Sequence, residues 1–240
     1  MRIAVLSDIH SNLVALDSVL ASLGTVDAVW QLGDVVGYGP EPDAVVERLA
    51  ALGAVGVRGN HDAAAAGGDE AEYFNVDARR AIEWTRSVIG TTTRDRLAAL
   101  PERLVIGDFT LVHGSPRAPI WEYVTSAPVA RANFAAVGTP YALHGHTHVP
   151  AVYRDDDGAI ELIAPRDRSA LRLDGRRVLL NPGSVGQPRD GDPEASYLVI
   201  DTDAGEATWH RVPYDIAATQ AAMRAVGLPE RLIARLEYGH

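Results

Sequence analysis

Residues 2–62 alternate short apolar runs with amphipathic segments, and this order restricts the fold more than any other feature of the chain. The periodicity predicts three strands separated by two helices, in the order RIAVLSD, SNLVALDSVLASLG, DAVWQLGD, PEPDAVVERLAALG and AVGVRGNHD. Ser11 or Asn12 is the expected N-cap of the first helix and Gly24 its end, and a proline opens the second helix. Because strand–helix–strand units form right-handed crossovers between parallel neighbours, the sequence predicts a parallel sheet of the α/β class.

The remainder of the chain changes to strands of period two that are joined by tight turns. Helices are expected at residues 70–89, 91–100 and 126–137, with one or two more after Asp215 that Gly227 and Pro229 interrupt. Hairpins are expected about Gly107-Asp108 and Asp157-Gly158, turns at Asp174-Gly175 and near Ala204-Gly205, and a strand at TPYALHG. The first half thus predicts a mostly parallel sheet and the second a largely antiparallel one. With helices on both outer faces they form a four-layer α-β-β-α sandwich of two mixed sheets, in one domain over residues 1–240.

The composition excludes several kinds of chemistry. The chain has no cysteine, which removes disulfides, thiolate metal sites and thiol nucleophiles. It also has no lysine, so neither a phosphate-binding P-loop nor a Schiff base is available. A net charge of −10 argues against a nucleic-acid polymer as partner, because such partners select basic surfaces. If the protein handles a phosphate, metal ions are expected to supply the positive charge.

The sequence gives no sign of a membrane partner. No apolar run approaches the ~20 residues that span a bilayer. The N-terminal apolar run ends at Ser7 and Asp8, too early for a secretory signal. We therefore expect a cytoplasmic protein.

Polar clusters follow the three predicted parallel strands as SDIH, GD and GNHD. In open α/β sheets ligands bind beyond the carboxyl ends of the strands, so these clusters predict a site there. With two later motifs, LVHGS and HGHTH, they supply seven candidate metal ligands: Asp8, His10, Asp34, Asn60, His113, His146 and His148. Seven donors exceed what one tetrahedral zinc ion uses, but two ions that share one carboxylate, ~3.5–4 Å apart, would use all of them. Carboxylate with imidazole favours manganese or iron, with zinc, nickel and cobalt as alternatives, over magnesium.

Each of these residues also has an ordinary structural interpretation. Asp8 and Asp34 are residue types common in turns and caps, and His113 is consistent with a hydrogen-bonded histidine at a hairpin end. Only their joint occurrence at strand ends favours a metal site. We expect His144 to be a packed or hydrogen-bonded neighbour of the site, and His210 and His240 to lie outside it.

The ordered set D-x-H, G-D, G-N-H-D, H and G-H-x-H resembles the calcineurin-like metallophosphoesterases. The later stretch NPGSVGQPRDGDPEASYLVID is similar to the small bacterial branch of that family, and Asn181 to Ser184 are expected to form a turn near the metals. The resemblance implies a hydrolase of phosphate esters in which a hydroxide between two metal ions attacks phosphorus. It assigns Asp8, His10 and His148 to the first ion, Asn60, His113 and His146 to the second, Asp34 as bridge and catalytic residue, and His61 as the catalytic histidine beside the scissile bond.

The family contains several activities, and one departure helps to choose among them. Protein phosphatases follow their G-D motif with Asp-Arg-Gly, whereas GDVVGYGP has Gly37 and Tyr38 where the aspartate and the arginine would stand. This departure favours a small-molecule phosphodiesterase, with a phosphomonoesterase or protein phosphatase and a dinucleoside tetraphosphate hydrolase as alternatives. A non-catalytic scaffold, like the retromer subunit that resembles the family, is a remoter alternative because His61 is present.

Candidate substrate contacts are Asn60, Tyr38, Arg117 and Arg189. The loop of residues 114–128, with Trp121 and Tyr123, is read either as a substrate-facing lip or as a surface loop packed on the core. The amphipathic C-terminal segment is expected to pack on its own domain, with a homo-oligomer interface as the alternative.

Overall fold

The computed structural model describes all 240 residues, and its strands form two six-stranded mixed sheets. The strands are β1 (Arg2–Leu6), β2 (Ala28–Gln31), β3 (Val55–Gly56), β4 (Arg103–Ile106), β5 (Phe109–Val112), β6 (Tyr141–Leu143), β7 (Ala151–Asp156), β8 (Ala159–Ile163), β9 (Ala170–Arg172), β10 (Val178–Asn181), β11 (Ala195–Asp201) and β12 (Glu206–Val212). The first sheet has the order β3-β2-β1-β11-β12-β9, and the second β4-β5-β6-β10-β7-β8. Strands β1 to β3 are parallel, as are β5, β6 and β10, and the other pairs are antiparallel.

The helices start at the caps that the sequence supplies. They are α1 (Leu13–Ser22), α2 (Pro42–Ala51), α3 (Asn60–Ala66), α4 (Val76–Val88), α5 (Thr91–Ala99), α6 (Ala127–Phe134), α7 (Ile216–Ala225) and α8 (Glu230–Ala234), with turns of 3-10 helix at Asp69–Tyr73 and Arg235–Glu237. Asn12 caps α1 by accepting from the Ala15 amide at 3.1 Å, and Asn75 caps α4 in the same way. Gly24, with φ +65°, follows the end of α1 as expected.

Three sequence-based expectations need correction. Assigning one sheet to each half of the chain is wrong, because β9, β11 and β12 from the second half complete the first sheet. The helix expected at 70–89 is a 3-10 turn followed by α4, which begins only after the Asn75 cap. Helix α3 was not expected, although Asp62 caps it by accepting from the Gly59 amide at 3.0 Å.

Alternation along the strands separates the core into layers. Ile3 and Val5 on β1 point between the two sheets, into a cluster with Leu111 and Leu180 from the second sheet. Their neighbour Leu6 points the other way, into a larger cluster with α1, α2, α4 and α8. On the far face of the second sheet, a smaller apolar cluster is covered by α6. The predicted four-layer α-β-β-α sandwich is confirmed. The helical layer over the second sheet, where α6 covers the smaller cluster, is the smaller of the two outer layers.

Loops at the carboxyl ends of the parallel strands hydrogen-bond to one another, both between the two sheets and within the second sheet. The Val185 amide, after β10, donates to Ser7 O at 3.0 Å, and Gly145 N, after β6, donates to His113 O at 2.8 Å. The loops that carry the polar motifs therefore meet at one edge of the sandwich. None of the helices combines the length and the apolar character that a membrane crossing requires.

Candidate metal centre

Two groups of buried donors meet at this edge and share one aspartate. Asp8, His10, Asp34 and His148 present one ligand atom each, all within 4.8 Å of one another, and Asp34, His113 and His146 do the same. The side-chain oxygen of Asn60 lies 3.1 Å from His113 Nε2, beside the second group. All seven predicted ligands are buried. The grouping contains the same residues that the family resemblance assigns to the two ions.

Backbone carbonyl groups fix the orientation of three of the four histidines. The Nδ1 atoms of His10, His113 and His148 lie 3.1, 2.9 and 2.6 Å from the carbonyl oxygens of Val36, Leu32 and Gln187, respectively. A carbonyl oxygen only accepts hydrogen bonds, so each Nδ1 carries the proton and donates it. Each Nε2 then faces the cluster, and a neutral ring presents a lone pair there, as in metal-ligating histidines.

The approach of these lone pairs indicates that a cation fits between the rings. His10 Nε2 and His148 Nε2 are 3.1 Å apart. Burial, together with neighbouring positive groups, lowers the pKa of both histidines well below the usual value, so both rings are neutral and two acceptors face each other. His146 directs Nδ1 toward His113 Nε2 at 3.0 Å, while its own buried Nε2 has no partner. Imidazole and carboxylate donors without sulfur fit borderline divalent ions such as manganese, iron or zinc.

Asp34 lies between the two groups. Its Oδ2 is 3.3 Å from His113 Nε2 and 3.7 Å from His10 Nε2, while its Oδ1 accepts from the His61 amide at 2.9 Å. Burial would raise the pKa of Asp34, but His113 and His61 hold it well below its usual range, so the carboxylate is charged. Burial raises the pKa of the Asp8 carboxyl to about 7. Burial lowers the pKa of His113, but the charge and hydrogen bond of Asp34, together with the Asp8 charge and the Leu32 bond, raise it to about 9. One charged oxygen thus faces both groups, which is the geometry of a bridging ligand.

The backbone of five of these residues is in the left-handed region. The φ angles of Asp8, His10, Asp34, His146 and His148 are +52°, +50°, +52°, +66° and +59°, a conformation uncommon outside glycine. The loops are held there by main-chain bonds such as Asp8 N to Gly33 O at 3.1 Å. Strained backbone concentrated at one site is typical of functional positions.

A loop after β10 supports the first donor group. Ser184 Oγ donates to the carbonyl oxygen of Asp8 at 2.7 Å, the Gly186 amide donates to the same oxygen at 3.0 Å, and Gln187 O receives the His148 bond. The turn expected at Asn181 to Ser184 is therefore beside the centre, as the sequence indicated. Sequence reasoning missed Gln187, whose signal was its position in the stretch NPGSVGQPRDG shortly after a predicted strand.

His61 lies against the first donor group and is held by packing. Its ring centroid is 4.3 Å from that of Tyr38, 4.5 Å from that of Phe74 and 4.9 Å from that of His10. Its buried Nδ1 has no hydrogen-bond partner. Gly37, at φ +90°, leaves room for the ring, since a Cβ there would collide with His61 Nδ1. Aromatic rings and the space left by Gly37 therefore hold the His61 ring in place.

A cavity opens over the two donor groups. Of the candidate substrate contacts, Tyr38, Asn60 and Arg189 line it, as do Trp121 and Tyr123 from the loop of residues 114–128. Tyr123 stacks on the His146 ring at a centroid distance of 3.9 Å, so this part of the loop faces the site.

Arg117, the remaining candidate substrate contact, lies away from the cavity, as do His144 and His210, which the sequence did not place among the ligands. Arg117 is not among the residues that line it, because its guanidinium is paired with Glu122 within the same loop. His144 is buried beside Asn181, with Nδ1 3.3 Å from the Asn181 amide nitrogen, and joins neither donor group. His210 stacks on Tyr197 at 5.0 Å on the first sheet.

Comparisons with known proteins agree with this geometry. A family model described as the calcineurin-like phosphoesterase superfamily domain matches residues 1–205. The crystal structure of a metallophosphoesterase from Sphaerobacter thermophilus superposes with a TM-score of 0.93 at 47% identity, covering 100% of this chain and 99% of that one.

Two further relatives cover nearly the whole chain. A protein of Methanocaldococcus jannaschii that is described as uncharacterised is 37% identical over 245 residues, which are 99% of this chain and 98% of the relative. The crystal structure of a hypothetical protein from Pyrococcus horikoshii has a TM-score of 0.81 at 22% identity, covers 100% of this chain and 98% of its own, and shows the same fold.

Proposed function

Because this chain belongs to the calcineurin-like phosphoesterase superfamily, we propose that it is a two-metal hydrolase of small-molecule phosphodiesters. The observation that carries the proposal is the pair of donor groups joined by Asp34 at the base of a cavity. Manganese or iron is the proposed metal pair, since the donors are imidazole and carboxylate.

The groups around the cavity support a diester more than a monoester. A phosphomonoester carries about two negative charges at pH 7, whereas a diester carries one. Protein phosphatases hold the additional charge with an arginine after their G-D motif, and this chain has Tyr38 there. Arg189 is the one cationic side chain that lines the cavity over the centre, apart from histidines. A phosphomonoesterase and a dinucleoside tetraphosphate hydrolase are the alternatives.

Asp8, His10 and His148 would hold one ion, Asn60, His113 and His146 the other, with Asp34 shared. When bound, the two ions supply Lewis acidity that activates water and neutralises charge on the phosphoryl oxygens. The carbonyl groups of Val36, Leu32 and Gln187 keep the ligand nitrogens directed inward, so little reorganisation accompanies binding. The Trp121 and Tyr123 rings line the cavity and offer it an aromatic wall.

His61 is the proposed contact to the leaving-group oxygen. It lines the cavity beside the first donor group, and because Nδ1 is buried against Gly37, Nε2 is the nitrogen left to form a hydrogen bond with a substrate. Such a contact is most effective for poor leaving groups, because more negative charge develops on the departing oxygen. Contributions of this kind are typically about 10²- to 10⁴-fold in rate.

The test compares hydrolysis of bis(p-nitrophenyl) phosphate by the manganese-reconstituted wild type and the His61→Ala variant. We expect clear turnover by the wild type and a lower kcat in the variant, with the same manganese content by mass spectrometry. The loss should be smaller than the roughly 10²- to 10⁴-fold effect typical of a contact to a poor leaving group, because p-nitrophenolate leaves readily. His210→Ala is the matched control, because His210 lies on β12 away from the centre, and it should behave as wild type.

Two outcomes would contradict the proposal. Background rates in both wild type and His61→Ala, with manganese bound, would favour the scaffold interpretation. Efficient hydrolysis of p-nitrophenyl phosphate with hardly any hydrolysis of the diester would favour the phosphomonoesterase.

A further inference from the structure

A second cavity adjoins the one over the metal centre. Its volume is about 690 Å³, and Tyr38, Asn75, Tyr123 and Arg189 line both cavities. Its far wall comes from the C-terminal segment, where α8 and the following 3-10 turn contribute Arg231, Leu232 and Arg235. These C-terminal residues lie outside the region that matches the family model.

Three arginines line this second cavity, and none of them forms an ion pair with an acidic side chain. Arg189, Arg231 and Arg235 have no carboxylate within salt-bridge distance. The acidic side chain among the lining residues is Asp77. Three arginines with one acidic side chain among the lining residues give this cavity an excess of positively charged side chains, in a protein whose net charge is −10.

The donors of Arg189 are only partly used. Its guanidinium lies over the Tyr38 ring at 5.7 Å and donates to Gln187 Oε1 at 2.8 Å, but its buried Nε has no partner. The stacking on Tyr38 and the bond to Gln187 orient this guanidinium where the two cavities join. It is therefore a preorganised donor with unused capacity.

Helix α8 and the 3-10 turn that follows it bring the other two arginines to the same cavity. Arg231 and Arg235 are four residues apart, a spacing that places side chains on one face of a helix. Leu232, Ile233 and Leu236 are buried in the large apolar cluster and hold the opposite face against the core. Arg235 Nε donates to the main-chain oxygen of His240, which leaves its terminal nitrogens available. Burial and the nearby charge of Arg189 lower the pKa of Arg235 to about 10, consistent with guanidinium groups held close together.

We propose that Arg189, Arg231 and Arg235 form a second anion subsite, which binds a non-reacting phosphate of the substrate while the reacting phosphodiester lies at the metal centre. This inference rests on the proposed function, and it narrows the substrate class to phosphodiesters that carry an additional phosphate group. The linking part of such a substrate passes Tyr38 and Tyr123, which line both cavities, so a sugar or aromatic group fits between the two phosphates.

A matched pair of substrates isolates the added phosphate. Thymidine 5′-(p-nitrophenyl phosphate) and the same ester carrying a 3′-phosphate have identical reacting groups. With manganese present, we expect the 3′-phosphorylated ester to have a kcat/KM higher by roughly tenfold or more, as one to two charge-assisted hydrogen bonds would give. In Arg231→Ala the ratio of the two kcat/KM values should fall toward one. Arg231 is exposed, so its replacement is compatible with folding.

Arg224→Ala is the control for general loss of positive charge. Arg224 lies on α7 and is paired with Glu230, so this variant should keep the wild-type ratio. Equal kcat/KM values for the two esters in the wild type, or an unchanged ratio in both Arg231→Ala and Arg235→Gln, would overturn the subsite.

A binding measurement separates this inference from the proposed activity. Titration calorimetry of the chelator-treated, metal-free protein with inorganic pyrophosphate should show binding that Arg231→Ala weakens by about fivefold or more. If neither ester is hydrolysed but pyrophosphate binding depends on Arg231, the diesterase proposal fails and the subsite stands. If pyrophosphate binds equally well to wild type and Arg231→Ala, the subsite is wrong.

Discussion

Asp34 is the residue on which both donor groups depend. Its Oδ2 faces ligand nitrogens of both groups, and no second carboxylate belongs to both. In Asp34→Asn we therefore expect manganese binding to weaken by about tenfold or more, because even residues that only support a ligand contribute this much. Metal content after desalting should fall from two ions per chain to one or none.

Asp95→Asn is the matched control for Asp34→Asn. Asp95 is exposed on α5 and takes part in no ion pair, so its variant should keep two ions. Two tightly bound ions in Asp34→Asn would contradict the bridging role.

At the residue scale, the sequence predicted which side chains are the candidate metal ligands, but it did not predict their backbone conformation. Asp8, Asp34 and Asn60 stood out because each follows a predicted parallel strand, where ligands collect. The left-handed backbone of His146 and His148 and the carbonyl partner of His148, Gln187, depend on contacts between loops far apart in the chain. Local periodicity contains no information about such contacts.

At the scale of elements, Glu122 determines how the loop of residues 114–128 lies beside the centre. Its carboxylate accepts from Ser115 Oγ at 2.7 Å and Asn133 Nδ2 at 2.8 Å and is paired with Arg117. The Arg117 bonds, followed by those from Asn133 and Ser115, lower the pKa of Glu122 to about 2. This one side chain therefore joins the start of the loop to α6.

In Glu122→Gln we expect the free energy of unfolding at pH 7 to fall by about 1–2 kcal/mol. This is at the low end of what hydrogen bonds to a charged group contribute, because the Arg117–Glu122 pair is partly exposed. Because the folded pKa is depressed, the stabilisation is complete above the unfolded pKa of 4.5 and is lost as pH falls toward 2. Urea denaturation of metal-free protein should show a difference from wild type that shrinks below pH 4.5. Glu83→Gln, at an exposed position on α4, is the control, and an equal loss in both variants would contradict this role.

The elements that sequence patterns predicted well are those with local signals. The hairpin turns about Gly107 and Gly158 were confirmed, since both glycines have positive φ and join paired strands. The turn at Gly175 exists too, but it joins β9 in one sheet to β10 in the other, because β9 pairs with the distant β12. Helix α3 was missed because GNHD reads as the end of a strand, although Asp62 followed by four alanines is a helix-start signal.

At the scale of the whole molecule, the metal centre joins the two sheets. Asp8 and Asp34 follow strands of the first sheet, whereas His113 and His146 follow strands of the second. Ions bound there are coordinated only when both sheets are docked. Metal binding should therefore stabilise the entire sandwich rather than one loop.

Manganese at 100 times its Kd should raise the melting temperature by about 5 to 10 °C for each site occupied, as a ligand that binds only the folded state would. Differential scanning calorimetry with manganese and with a chelator measures the difference. In Asp34→Asn the shift should be smaller by half or more. An identical melting temperature with metal and with chelator would contradict a coordinated centre in the folded protein.

The sequence predicted the four-layer architecture, but it did not predict the second cavity, which the C-terminal arginines line. Alternating strands and helices predicted four layers, because each element must bury one apolar face. Nothing in RLIARLEYGH indicates that Arg231 and Arg235 face residues that are separated from them by most of the chain. That arrangement arises only when α8 docks through Leu232 and Leu236.

Selection for activity and selection for stability favour different residues at five positions of the site. These are the positions with left-handed backbone: Asp8, His10, Asp34, His146 and His148. Glycine at each of these positions would relieve about 1 kcal/mol of conformational energy, yet it would remove a donor atom. Lineages that keep the reaction must retain residues that the fold alone would discard. A descendant that no longer uses the reaction would be free to acquire glycine at these positions. Its folded state would become more stable as its activity was lost.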